Sequence, residues 1–348
     1  MRLPRAGLWA AFLLAVSPFH IRYSQEARHY ALLLFCSLLS LYFLYRAMAG
    51  GRRRDWVLFG AATAVNLLTH YSAWLLLATQ VLLGAGWLLA VGRHDRCAWR
   101  RVVPAALIVR AALALLAPRA LVAFRANTGA STGTTTAAPP GVWLSEAWLE
   151  FGFAAVLPAA SIGIAALAGL MILIRQRRWL SFALLVTPVV APVLLIQLLH
   201  ISRFALPKYV IYALPLYLMA AGVGIAAAVE FLARALMNLS GARAARPAVI
   251  GLVALLIGLI AAPAIGAEYA AMVHDWRGAA GALGRAGPND VALALALDTG
   301  DGFNAARIMA PFYLDPAFRL LDGNHLQAAD LEALAGRSGR VSALVLNL

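Results

Sequence analysis

The chain of 348 residues is 63% hydrophobic and 13% charged, with a mean hydropathy of +0.79, a balance that excludes an ordinary water-soluble domain. Its formal charge of +14 would suit a nucleic-acid binder, but the cations fall in short clusters between apolar runs, Arg52 to Arg54, Arg100 with Arg101, and Arg177 with Arg178. That is the placement of loops on the cytoplasmic side of a membrane, and it points away from a nucleic-acid partner.

The apolar runs lack the alternation of a membrane barrel and have helical length, roughly 20 residues for a hydrocarbon core about 30 Å thick. Met1 to Ser17 imitates a signal peptide, but Pro18 would follow the only small-residue cleavage site, so cleavage is not expected. In chain order the pattern predicts a stub at Ala6 to Val16 and eight membrane helices. They cover Tyr30 to Met48, Trp56 to Leu68, Tyr71 to Val91, Val102 to Ala117, Phe151 to Ile174, Leu180 to Leu199, Tyr209 to Leu232 and Val249 to Ile265. Cys36 lies in one of these runs and Cys97 in a basic loop, neither at metal or redox spacing.

Alternating the loops between two sides collects Arg52 to Arg54, Arg93 to Arg101, Arg175 to Arg178 and Arg234 to Arg246 on one side, the cytoplasm of an inner-membrane protein. His20 to His29, Thr69 to Ser72, Arg119 to Glu150, His200 to Lys208 and everything after Gly266 then face outward. Within the long outer segment, Asn127 to Gly141 reads as a loop, either a plain connector or a lid over a substrate. Arg110 stands in mid-helix, where a charge is costly and usually faces a cavity.

From His274 the pattern changes: helical over Trp276 to Arg285, strand-like over Val291 to Leu297, helical over Phe303 to Tyr313 and Leu326 to Ala335, strand-like over Val341 to Leu346. The expected organisation is therefore an α-helical integral membrane domain over residues 1–266 and a small α/β extracytoplasmic domain over 267–348, which ends on a strand and reads as incomplete. Asp298 and Asp301 sit in a strand-to-helix turn without a glycine-rich phosphate fingerprint, and read as solvated turn residues.

The densest polar segment is Ser17 to Tyr30, with His20, Arg22, Tyr23, Ser24, Gln25, Glu26, Arg28, His29 and Tyr30 at an outer membrane edge. Two uses fit these side chains. One is anchoring at the headgroups; the other is a site for phosphate and sugar hydroxyls, with Arg as a planar fork for phosphate and Ser, Gln and Glu for hydroxyls. His70 with Tyr71 likewise suits either a packed polar turn or a contact to phosphate or hydroxyl.

The stretch SPFHIRYSQEARHYALL, Ser17 to Leu33, resembles the outer-face signature of membrane glycosyltransferases that use polyprenyl-phosphate sugars. These form the GT-C superfamily, which includes protein-mannosyltransferase-like and aminoarabinose-transferase-like enzymes. Tyr23, Ser24, Gln25, Glu26, Ala27, Arg28 and Tyr30 match its pattern, and His29 occupies the variable place. Leu68 to Ser72 resembles the family's Thr-His-Tyr turn, and Arg203 to Pro215 its basic-Tyr segment ahead of a Pro. His274 to Ala280 resembles the start of the extracytoplasmic domain of many members.

The resemblance implies a donor whose tail stays in lipid while its phosphate and sugar reach the outer interface. Arg28, Arg203 and Lys208 would lie near the phosphate, Tyr23, Ser24, Gln25, Tyr30, His70 and Tyr71 would bind substrate, and a carboxylate would activate an acceptor hydroxyl for one inverting displacement. The acceptor class is left open among glycan, lipid and protein. No cofactor pattern is visible, and a divalent metal is neither implied nor excluded. One departure stands out: the family's additional first helix and acidic outer loop have no counterpart ahead of Glu26, the first carboxylate of the chain. This implies an N-terminally truncated copy, or a catalytic role for Glu26 itself. The other readings are a non-catalytic membrane fragment and a transport or lipid-handling protein, the latter expected to show repeats and broken helices.

Overall fold

The computed structural model describes residues 3–25, 29–91, 95, 97–129, 140–198, 207–240, 245–270, 281, 284–285, 290–296, 319–322 and 341–346. The chain divides into two compact units, Met1–Glu268 and Tyr269–Leu348.

The first unit is helical: α1 Leu3–Ala15, α2 Pro18–Gln25, α3 Tyr30–Gly50, α4 Arg53–Thr69, α5 Ala73–Val91, α6 Ala98–Gly129, α7 Pro140–Phe151, α8 Val156–Arg175, α9 Trp179–Leu198, α10 Ala213–Ser240 and α11 Ala245–Ala270, with a 3-10 turn at Pro207–Val210. Among the described residues seven helices are long and apolar enough to cross a membrane: α3, α5, α6 over Ala98–Pro118, α8, α9, α10 and α11. The protein is a multi-pass α-helical membrane protein. The eighth expected helix is α4, short as its sequence indicates, with Asp55 buried in its first turn and paired with Arg46 of α3 at 3.1 Å.

The stub is more than a remnant. Ala6, Trp9, Ala10 and Leu13 of α1 are buried, and α1 lies against α10 where a Cβ added to Gly222 would stand 2.5 Å from the Ala6 carbonyl oxygen. Helices in lipid gain little from hydrophobicity, so small residues that admit close backbone approach hold them together. Hydrogen bonds add to this inside the bundle. Gln80 Nε2 of α5 donates to Ser40 Oγ of α3 at 2.6 Å, Ser40 and Thr63 of α4 share a bond of 2.8 Å, and Asn66 Nδ2 donates to Ser37 Oγ at 3.1 Å.

Three expectations are corrected. His20 to Gln25, read as part of a connecting segment, belongs to α2. The signal is local: Ser17 Oγ accepts the His20 N–H at 3.4 Å, and Pro18 opens the helix, where its missing N–H costs nothing. The helix expected over Phe151 to Ile174 is α8, which begins five residues later at Val156, and a separate helix, α7, precedes it. α7 stops at Phe151, whose successors Phe153 and Ala154 have φ of 70° and 56°; the Gly152 and Ala154 N–H groups turn back onto the Trp148 and Leu149 carbonyls at 3.0 and 2.8 Å, closing α7 as left-handed caps do. Finally, α6 runs past Ala117 to Gly129 and α7 begins at Pro140, so helix occupies most of the expected outer segment; its centre, 130–139, lies outside the described residues.

The described part of the second unit is a parallel three-stranded sheet of order β2-β1-β3, with β1 Val291–Ala296, β2 Arg319–Asp322 and β3 Val341–Leu346. Val291 stands opposite Arg319 on one side and Val341 on the other. Two strands lie where alternation placed them; four-residue β2 is too short to carry a period. Most of the helical stretches expected between them, and Asp298 with Asp301, lie outside the described residues.

Candidate functional site

Helix direction alternates through the bundle, so the loops with arginine clusters gather at one end, the basic end. The site candidates gather at the other. There, α2 buries Phe19 to 1% exposure and places Tyr23 one turn further on the same side. Phe19 packs on Phe151 of α7 at 5.2 Å between ring centres and on Tyr23 at 4.7 Å. Tyr23 meets Tyr30 of α3 edge-on at 5.1 Å. His29 stacks on His70 at 4.1 Å with 16° between planes, and His70 in turn lies 4.0 Å from Tyr71 and parallel to Tyr209 at 5.9 Å. Lys208 Nζ stands 5.7 Å from the Tyr209 ring. An aromatic wall thus joins four segments remote in sequence, and the α4–α5 turn is its hub.

The hub is fixed by Ser72. Its N–H donates to His70 Nδ1 at 3.1 Å and its hydroxyl lies 2.7 Å from the same nitrogen. An Nδ1 that accepts carries no proton, so His70 is neutral with its proton on Nε2. Burial, and then the neighbouring charge of His29, lower its pKa to about 4, so the ring stays neutral at ordinary pH. Burial also lowers that of His20.

Beside the wall lies an ion-paired group centred on Arg22, whose carboxylate partners the sequence did not single out. Arg22 Nε donates to Glu268 Oε2 of α11 at 2.8 Å, and a terminal guanidinium nitrogen of Arg22 donates to the other Glu268 oxygen. Its remaining nitrogen reaches Glu150 of α7 at 3.3 and 3.4 Å. The hydrogen bond to Glu268 is the main cause that holds the guanidinium firmly protonated. Glu268 is nearly enclosed, its side chain 10% exposed, whereas that of Glu150 is 31% exposed. One cation and two carboxylates leave a net charge of −1. Glu268 escaped notice because it follows the last apolar run and was grouped with the C-terminal domain. Glu150 closes the long outer segment, of which only the Asn127 to Gly141 loop was given a reading.

Of the residues singled out by sequence, Tyr23, Tyr30, His70, Tyr71 and Lys208 come together along the wall. Ser24 and Gln25 end α2 exposed, and the Ser24 hydroxyl donates to the Ile21 carbonyl at 2.9 Å. Glu26, Arg28 and Arg203 lie outside the described residues. Among the described residues no cluster of three or more His, Cys, Asp or Glu is arranged to hold a metal ion.

Residues 2–122 match the family model described as dolichyl-phosphate-mannose-protein mannosyltransferase. The match spans α1 to α6 up to Val122, including α2 and the His70 turn, and bears out the resemblance to GT-C membrane glycosyltransferases. No curated protein and no solved structure matches the chain.

Proposed function

We propose that the protein transfers a sugar from a polyprenyl-phosphate carrier to an acceptor hydroxyl at the end of the bundle opposite its arginine loops, the outer face of the inner membrane. The observation that carries this reading is the convergence of α2, the His70 turn and the Lys208 turn on one aromatic wall, in a chain whose α1–α6 region matches a sugar-transferring membrane family.

In this reading the carrier's tail stays in lipid and its phosphate meets Lys208 with Arg28 and Arg203, cations that stabilise charge on the departing phosphate in a water-poor site. Tyr23, Tyr30 and Tyr71 offer ring faces and hydroxyls to the sugar, with Ser24, Gln25 and Glu26 for its hydroxyl groups. His70, neutral, contributes a donor rather than a charge.

Direct displacement at the anomeric carbon requires a base for the acceptor proton. We assign it to Glu150. Glu268 is engaged by two nitrogens of Arg22, whereas Glu150 is held only at 3.3–3.4 Å and is the more exposed of the pair. Arg22 then orients the base. This leaves Glu26 free as a substrate ligand.

The test is transfer of labelled sugar from a polyprenyl-phosphate donor in membranes containing the full chain. Transfer that disappears in Glu150→Gln and in Tyr71→Ala, with both variants inserted and folded, supports the reading. Failure of the unaltered chain to transfer from any such donor overturns it.

A further inference from the structure

The basic end carries a second charged cluster, unrelated to the wall. Glu230 of α10 is shared by three arginines: Arg5 of α1 at 2.9 Å, Arg246 of α11 at 3.3 Å and Arg234, one turn along α10, at 3.6 Å. Three guanidinia against one carboxylate leave a net charge of +2 held at one point. Part of this cation is open, since the side chains of Arg5, Arg234 and Arg246 are 43%, 70% and 34% exposed. The Arg246 Nε is buried and has no hydrogen-bond partner among the described residues. Arg5 and Arg246 also sit in the first turns of α1 and α11, where unpaired N–H groups and the helix dipole add positive potential.

An apolar cavity of about 420 Å³ lies along two of these helices, α1 and α10. It is lined by Ala6 and Gly7, the residues after Arg5; by Met219 and Val223, the latter two turns before Glu230 on α10; and by Tyr42 and Tyr45 of α3. A cationic point near an apolar cavity at a membrane edge matches the headgroup and chain of one lipid.

We propose that the Arg5–Arg234–Arg246 cluster binds the phosphate of an anionic phospholipid of the leaflet at the basic end, with an acyl chain in the adjoining cavity. Glu230 gathers the arginines and leaves two charges for the ligand. Bidentate guanidinium contacts suit a phosphodiester, and a lipid with a zwitterionic headgroup would cancel part of the attraction. The site is independent of the proposed sugar transfer.

The full chain, purified in detergent, is titrated with phosphatidylglycerol, phosphatidylcholine and inorganic phosphate, following fluorescence of a labelled phosphatidylglycerol by competition. Phosphatidylglycerol is expected to displace the label well ahead of phosphatidylcholine and of inorganic phosphate, the last distinguishing a lipid site from a bare phosphate site. Arg234→Ala, an exposed position whose loss leaves the other two ion pairs intact, should weaken binding about fivefold, the scale of one arginine at an anionic surface. Arg53→Ala, at the same end but outside the cluster, should change it less than twofold. Glu230→Gln, which removes the competing carboxylate, should tighten it. Equal loss in Arg53→Ala and Arg234→Ala, equal displacement by both lipids, or weaker binding in folded Glu230→Gln would overturn the proposal.

Discussion

At one end of the bundle Arg22 is shared by two carboxylates next to Tyr23; at the other Glu230 is shared by three arginines near an apolar cavity. Each motif ties α11 to the helices around it, so as structural ties the two are alike. They differ in the charge left over. The anionic remainder next to Tyr23 suits accepting a proton from a polar substrate, and the cationic remainder near Ala6, Gly7 and Val223 suits holding an anion with an apolar chain. The same ion-pair chemistry thus supports chemistry at one end and anchorage at the other, and the sign of the excess decides which.

The sharpest way to break this contrast is to remove a charge from each end. Glu150→Gln keeps the size and hydrogen bonding of the side chain and is expected to lower sugar transfer by about a hundredfold or more, the usual worth of a positioned base; Arg234→Ala at the basic end should leave transfer unchanged. Equal loss from both would show that the two ends do not divide the labour. Arg28→Ala is expected to cost about a hundredfold in transfer through loss of a charge-assisted phosphate contact of about 2–3 kcal/mol, with Arg28→Lys recovering only part. The measurement is initial rate at saturating donor, with insertion verified.

A smaller effect concerns pH. His70 has a folded pKa lowered to about 4 from the ordinary 6.5, so between these values the unfolded chain binds more protons than the folded one and stability rises with pH. Stability should be fullest above about 6.5, fall as pH drops toward 4 by at most a few kcal/mol, and level off below. Thermal unfolding in detergent across that window should flatten in His70→Asn. An unchanged slope would mean that the ring is protonated without cost and that the hub of the wall is solvated. The least effect expected is the fivefold change in phosphatidylglycerol binding in Arg234→Ala, read against transfer as the insensitive partner.

Much of this organisation is legible in the chain. Apolar runs gave seven spanning helices and the short α4, because in lipid every backbone group must be bonded within its own helix and the segment length is fixed by the membrane. Arginine clusters gave the polarity of the bundle. Tyr23, Tyr30, His70, Tyr71 and Lys208 stood out because polar aromatic residues are sparse among so many aliphatic ones. α2 was hidden in its own polarity, although Ser17-Pro18 is a helix start. The break after α7 was hidden because Phe153 and Ala154, with left-handed φ, are residues that rarely adopt it.

The amino-acid order alone therefore determined which segments are long and apolar enough to enter the membrane and where polar side chains concentrate between them, since these depend on length, hydropathy and charge read along one dimension. Only the tertiary structure decided that Arg22 belongs with Glu150 and Glu268, that Arg5 belongs with Glu230 and Arg246, and that His70 is the hub of the wall. Those partners are 128, 246, 225 and 16 residues apart, for Arg22–Glu150, Arg22–Glu268, Arg5–Glu230 and Glu230–Arg246. No local propensity links them. They meet because small residues such as Gly222 let α1 and α10 close together and bring charged helix ends to one level, a choice made by packing across the bundle.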